Sequence, residues 1–432
     1  MDVKTFSLGD FELQNGKVLP NAVIAYKTFG EGGLPAVLYP SWFSGAISDN
    51  EWLVGKDKTL DPERYFIIIT ALFGNGQSTS PSNSDISPFP DVSFYDNVKA
   101  QHQLMGHLGV KHLRAVLGWS MGAAQTFQWA TQYPDFMDIC VPFCGSAKTS
   151  LHNQVFLEGV KSALLAAKGC TSAGSIQGRV ETTDRKWTDK EKEVGLKAFG
   201  RGYAGWGFSQ AFYRHELFKK HYGAADLEEF MKNFWEKWAL SKDPENLLVM
   251  LHTWQAGDVS QQEPYDGDFE KAMMGIKARI LVLPSKTDLY FPPEDSEYEV
   301  ECMGDNASLD VYPSIWGHWA GGPPGNMEDV KWLDERLRKV FDEAPRRDTE
   351  SDLQVSPSLR AYYVDEAGRE NAKIKQSSCA CVSIRSTPEL KGDLDHKISL
   401  EGCNQPFFDI SGPDINKPPT RHPSQDNTLI DQ

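Results

Sequence analysis

The stretch Arg114-Ala-Val-Leu-Gly118-Trp119-Ser120-Met121-Gly122-Ala-Ala-Gln-Thr-Phe-Gln-Trp-Ala constrains this chain more than any other. An apolar, β-branched run turns at once into a helical pattern through Gly-x-Ser-x-Gly. Such a reversal forces the residue at its tip into a strained backbone conformation. Side chains at Gly118 and Gly122 would collide, so glycine is required on both sides. The reversal exposes the Ser120 hydroxyl above the edge of a sheet. It also aims the first N–H groups of the next helix at any negative charge that develops there.

The rest of the chain supports a sheet of that kind. Short apolar runs occur at Ala22–Tyr26, Ala36–Tyr39, Tyr65–Thr70, Arg114–Gly118, Asp138–Pro142, Arg279–Leu283 and Leu309–Tyr312, bounded by Gly, Pro, Asn or Asp. Helical spacing of apolar residues lies between them, at Asp96–Leu108, Met121–Gln132 and Val155–Ala167. Buried strands alternating with amphipathic helices predict an α/β chain with a mainly parallel central sheet, covered on both faces. The alternation breaks over residues 183–257, a helical, aromatic-rich segment with Trp187, Phe199, Trp206, Phe208, Phe230, Trp235 and Trp238. It is expected to be a helical cap inserted between core segments 1–182 and 258–343, over the functional edge of the sheet. Residues 344–432 are polar and proline-containing with little periodicity, and read as a disordered extension without a part in chemistry.

A serine hydroxyl needs a base before it can attack. In sheets with this turn the acid and the histidine follow the serine in chain order. Leu281-Val-Leu-Pro-Ser-Lys-Thr-Asp288 places Asp288 just beyond a strand, and Tyr312-Pro-Ser-Ile-Trp-Gly-His318 places His318 in a loop beyond the last one. Ser120, Asp288 and His318 are therefore the candidate catalytic residues. The Met121 N–H is one candidate donor to an oxyanion. The second is expected in the loop Ser41-Trp42-Phe43-Ser44-Gly45, at Phe43 with Trp42 as the neighbouring choice.

A formal charge of −16 repels the phosphates of nucleic acid. The chain has no run of about 18 apolar residues that could span a membrane, and Met1–Asp10 lacks the apolar core of a secretion signal, so a cytoplasmic protein is the default. No metal is expected. His102 and His107, five apart on one helix, share no face, and no paired Cys/His spacing occurs. Seven cysteines in 432 residues make no disulfide framework. Cys140 and Cys144 read as buried thiols, and Cys379-Ala-Cys381 lies in the polar tail. Asp258 either lines the cleft or caps a helix.

Further motifs carry a resemblance. Ala71-Leu-Phe-Gly-Asn-Gly-Gln-Ser-Thr-Ser-Pro-Ser-Asn83, Asp96-Asn-Val98, Gly118-Trp-Ser-Met-Gly122, Gln128-Trp-Ala and Cys144-Gly-Ser-Ala-Lys-Thr-Ser together resemble the homoserine O-acetyltransferase-like branch of the α/β-hydrolases, from Phe11 to Val340. The resemblance implies the α/β-hydrolase fold, an acyl-enzyme, a helical cap forming a tunnel to the serine, and often a homodimer. That branch holds both acetyltransferases and esterases. The transferases carry a cap arginine that clamps the substrate carboxylate; the stretch here reads Gly205-Trp-Gly-Phe208-Ser, with Arg201 and Arg214 as possible replacements. The expected function is hydrolysis of a small-molecule carboxylic ester, without a cofactor. The alternative is an acyl-CoA-dependent O-acyltransferase, with acetyl-CoA or another acyl-CoA as co-substrate. A non-catalytic binding module is the third reading, against which the complete Ser-Asp-His set argues.

Overall fold

The structure is a computed structural model and describes residues 2–169, 185–323 and 325–345. The polar tail beyond Pro345, with Cys379 and Cys381, lies outside the described residues. Eight strands form one sheet in the order β1-β2-β4-β3-β5-β6-β7-β8. They are β1 (Lys4–Glu12), β2 (Val18–Phe29), β3 (Ala36–Pro40), β4 (Phe66–Thr70), β5 (Leu113–Trp119), β6 (Met137–Phe143), β7 (Arg279–Val282) and β8 (Ala307–Leu309). β1 and β4 pair antiparallel with β2, and every pairing from β4 to β8 is parallel.

Every residue of β3, β5 and β6 is buried. Covered on both faces, these strands read as unbroken apolar runs in the sequence. Their side chains still alternate. Val37, Tyr39, Ile67 and Ile69 join one core, and Ala36, Leu38, Phe66 and Ile68 the other. Helices α1 (Phe94–His107) and α2 (Met121–Gln132) send Val98, Leu104, Phe127 and Trp129 into the second core. Helix α3 (Leu151–Ala166) sends Phe156 and Leu157 into the first.

Two strands differ from expectation. β1 pairs only with β2 and leaves most of its residues exposed, so no apolar run announces it. The last strand is Ala307–Leu309 rather than Leu309–Tyr312. It is an edge strand of half-buried residues, and Tyr312 makes only an isolated bridge with Ser285. Helix α3 begins at Leu151, one turn before the expected Val155, with the Ser150 hydroxyl accepting from the Asn153 N–H.

Between β6 and β7 the described residues are helical and contribute no strand to the sheet. Helix α4 (Asp189–Gly207) is the longest element there, followed by short helices and then Pro244–Gln255. No helix among the described residues is long and apolar enough to cross a membrane. The buried Arg114 pairs with Asp138 at 3.0 Å and donates to the carbonyls of Phe341, Ala344 and Pro345. It thereby caps the last described helix, Met327–Glu343.

Candidate active site

The parallel strands all end on one side of the sheet. The Ser41–Gly45 turn follows β3, Ser120 follows β5, Asp288 lies beyond β7, and His318 beyond β8. Ligands of open α/β sheets bind at the carboxyl ends of the strands.

Ser120 has φ 58° and ψ −124°, a conformation rare for a residue with a side chain. Its neighbours leave no alternative. A Cβ on Gly118 would sit 2.3 Å from the backbone of Gly122, and one on Gly122 would sit 2.7 Å from the Pro40 carbonyl. A third glycine, Gly145, closes the other side, where a Cβ would approach the Ser120 carbonyl to 2.5 Å. The Ser120 N–H donates to the Phe143 carbonyl (3.1 Å), fastening the turn to the next strand. The Ser120 carbonyl accepts from Ala123 and Ala124, whereas the Met121 N–H has no acceptor among the described residues.

The loop behind Gly145 is held by a buried acid. The Ala147 N–H donates to Glu299 Oε1 at 2.6 Å. Burial pushes the Glu299 carboxyl well above its ordinary value, outweighing the backbone hydrogen bonds that lower it. The folded state therefore holds a proton that the unfolded state releases above about pH 4.5. This group's contribution to stability is full below that pH and declines as the pH rises toward the folded value. Glu299→Gln is expected to shrink the drop in urea midpoint between about pH 5 and about pH 8 relative to wild type. An unchanged drop would mean that Glu299 is charged in the fold.

Asp288 and His318 meet directly. His318 Nδ1 lies 2.7 Å from Asp288 Oδ2. The other oxygen, Oδ1, accepts the N–H groups of Tyr290 (2.8 Å) and Phe291 (3.2 Å), which fixes the carboxylate plane. The His318 ring stacks on Trp119, the residue before Ser120, with centroids 4.7 Å apart, and its carbonyl accepts from Trp119 Nε1. Ser120, Asp288 and His318 are 3%, 4% and 2% exposed, so charge developing among them is little screened. The histidine loop is fixed from three sides. The Gly317 N–H donates to Thr287 Oγ1, the Ser314 hydroxyl donates to the buried Asp329, and the Ser209 hydroxyl donates to the Ile315 carbonyl.

After β3 the chain makes a turn closed by the Gly45 N–H on the Trp42 carbonyl (3.0 Å), with Ser44 at φ 58°. The N–H groups of Trp42 and Phe43 have no acceptor among the described residues. Neither candidate second donor is thus spent on another acceptor among the described residues. The Ser44 carbonyl accepts from Lys242 Nζ at 2.9 Å, a tie between this turn and the helical segment that nothing in the sequence marks.

The alpha/beta hydrolase fold family matches residues 45–300 of the chain. A probable esterase of Corynebacterium glutamicum is 32% identical over 78% of this chain and 95% of its own length. This chain belongs to the α/β-hydrolase fold family. Ethyl acetate hydrolase of Pseudomonas veronii is also 32% identical, over 72% of this chain and 88% of its own. The crystal structure of an acetylester hydrolase from C. glutamicum superimposes with a TM-score of 0.71 at 30% identity, covering 79% of this chain and 96% of that one. Identity is lower, 26%, with homoserine O-acetyltransferase of Trichormus variabilis, over 71% of this chain and 86% of that protein.

In this α/β-hydrolase an aromatic wall surrounds the strand ends. Phe43 stacks on Tyr203 (5.8 Å) and borders Trp254 (5.7 Å). Trp319, next to His318, contacts Trp119, Trp235 and Phe208 at 5.6, 5.3 and 5.0 Å. Phe208 is fully buried among these rings. Neither arginine that could have stood in for a carboxylate clamp is there: Arg201 is bound at the surface to Glu228 and Glu236, and Arg214 is exposed. The remaining singled-out residues have structural partners. His102 stacks on Tyr133 and His107 on Phe6. Cys140 and Cys144 are buried, which pushes both thiols well above the usual range. Asp258 pairs with Lys148 and accepts from the Ser260 hydroxyl and N–H, so it ties a loop rather than capping a helix.

Proposed function

We propose that this chain is a serine carboxylic ester hydrolase that works through an acyl-enzyme on Ser120. The observation that carries the reading is the buried Asp288–His318 pair stacked on the residue next to a strained serine. In the proposed cycle His318 takes the Ser120 proton, and Asp288 holds the imidazole tautomer and balances its charge. The Ser120 oxygen attacks the ester carbonyl. The oxyanion is held by the N–H groups of Met121 and Phe43. His318 returns the proton to the departing alcohol, then activates water to release the acid. Residues 183–257 serve as the cap over this cleft.

The aromatic surroundings favour a small ester of a neutral alcohol. A substrate carboxylate placed among Phe208, Trp235 and Trp319 would have neither Arg201 nor Arg214 to pair it, at a cost of about 1–3 kcal/mol or more. The higher identity to esterases than to homoserine O-acetyltransferases supports the same choice. A second reading, acyl transfer from acetyl-CoA or another acyl-CoA to a hydroxyl, is favoured by the deep burial of Ser120 and His318, since transfer requires an acyl-enzyme shielded from water.

Purified protein given p-nitrophenyl acetate and acetyl-CoA in parallel, with and without added alcohols, separates the two. Hydrolysis of the ester with acetyl-CoA untouched is expected. Release of CoA that depends on an alcohol and outpaces hydrolysis would replace the esterase reading with the transferase one.

A further inference from the structure

The geometry points to Gln125 as the positioning residue of the oxyanion donors, set in place by a relay from Trp129 through Gln101. The inference rests on the reading of Met121 and the Ser41–Gly45 turn as the oxyanion site. All three relay residues are fully buried. Trp129 Nε1 donates to Gln101 Oε1 (2.7 Å), Gln101 Nε2 to Gln125 Oε1 (2.6 Å), and Gln125 Nε2 to the carbonyls of Ser41 (2.9 Å) and Met121 (3.1 Å).

The direction of this relay is fixed by chemistry at both ends. An indole nitrogen can only donate, and a backbone carbonyl can only accept. Each glutamine amide between them therefore has one orientation. Reversing either would set donor against donor at one end and acceptor against acceptor at the other. The relay ends on the two segments that supply the candidate oxyanion donors. One NH₂ group grips the carbonyl of Met121 and the Ser41–Trp42 peptide just before Phe43. It thereby sets the spacing between two donors that lie far apart in sequence. Oxyanion donors work only when they are already in place as charge develops, and a buried amide with both N–H groups and its oxygen bonded is a rigid way to hold them. No relay side chain touches substrate.

Three variants test this beside wild type and Ser120→Ala: Gln125→Met, which keeps the volume and loses the donors; Gln125→Glu, which faces both carbonyls with an acceptor; and Trp129→Phe, which keeps the ring and loses the N–H. Gln125→Met is expected to lower kcat for p-nitrophenyl acetate about 10- to 100-fold, somewhat less than loss of an oxyanion donor itself, with KM changed less than about twofold. Its affinity for a trifluoromethyl ketone, which forms an oxyanion on the serine, should fall by the same factor as kcat/KM. Gln125→Glu should fall further and Trp129→Phe less, in the same direction. A space-filling role would leave kcat and ketone affinity intact in Gln125→Met. If Gln125→Met does not fold, Trp129→Phe decides between the same outcomes. An active wild type, an inactive Ser120→Ala and unimpaired relay variants would overturn the inference alone. A wild type without esterase activity, or an active Ser120→Ala, would overturn the functional reading and the inference with it.

Discussion

Ser120→Ala is expected to lower kcat/KM for p-nitrophenyl acetate by about 10⁴- to 10⁶-fold, the loss typical of removing the nucleophile from a serine triad. The change deletes one oxygen and leaves the rest of the site standing. Ser120 already holds φ 58° with a Cβ in place, so alanine meets the same backbone strain. No cavity large enough to destabilise the turn is created, and the thermal midpoint should stay within about 2 °C of wild type. Activity within tenfold of wild type in the folded variant would remove Ser120 from the chemistry.

Asp288→Asn is expected to cost about 10⁴-fold in kcat, the scale seen when a triad histidine is locked in the wrong tautomer. The hydrogen bonds around Asp288 dictate that outcome. Oδ1 accepts two backbone N–H groups, so an asparagine must place its carbonyl oxygen there. Its NH₂ then takes the Oδ2 position, 2.7 Å from His318 Nδ1. Nδ1 must accept, and the ring proton moves to Nε2, where the serine proton has to go. Asp288→Ala imposes no tautomer, and so should retain at least as much activity as Asp288→Asn despite removing more atoms. Measuring kcat for both variants checks this. A nearly active Asp288→Asn would mean that the carboxylate contributes only packing.

The sheet and the elbow were legible in the sequence for reasons of local sterics and burial. Gly118 and Gly122 are required within a few residues of Ser120, so a short window carries the turn. β3, β5 and β6 are covered on both faces and left continuous apolar runs. Edge elements were harder. β1 and Ala307–Leu309 have one neighbour each, so their residues need not be apolar. At the start of α3, Leu151 and Val155 are exposed at 81% and 62%, blurring the helical period that would have marked its first turn. Asp288 and His318, which the structure brings within 2.7 Å of one another, were candidates because each follows a strand in the required chain order. Gly145, Glu299 and Gln125 were not. Each makes its contact with residues distant in sequence, and a glutamine on a helix reads as surface until the fold buries it. The choice between Trp42 and Phe43 as donor depends on backbone direction, which side-chain identity does not encode.

The most direct test of the central claim is to find the acyl group. Wild type and His318→Ala would be mixed with p-nitrophenyl acetate, quenched in acid and mapped by peptide mass spectrometry. His318 both forms and discharges the intermediate, so a slow His318→Ala variant should accumulate what wild type turns over. The account predicts an acetyl group on the peptide carrying Ser120, absent from the same peptide in Ser120→Ala. Acetyl on another residue, or undiminished ester hydrolysis with Ser120 unmodified, would contradict it.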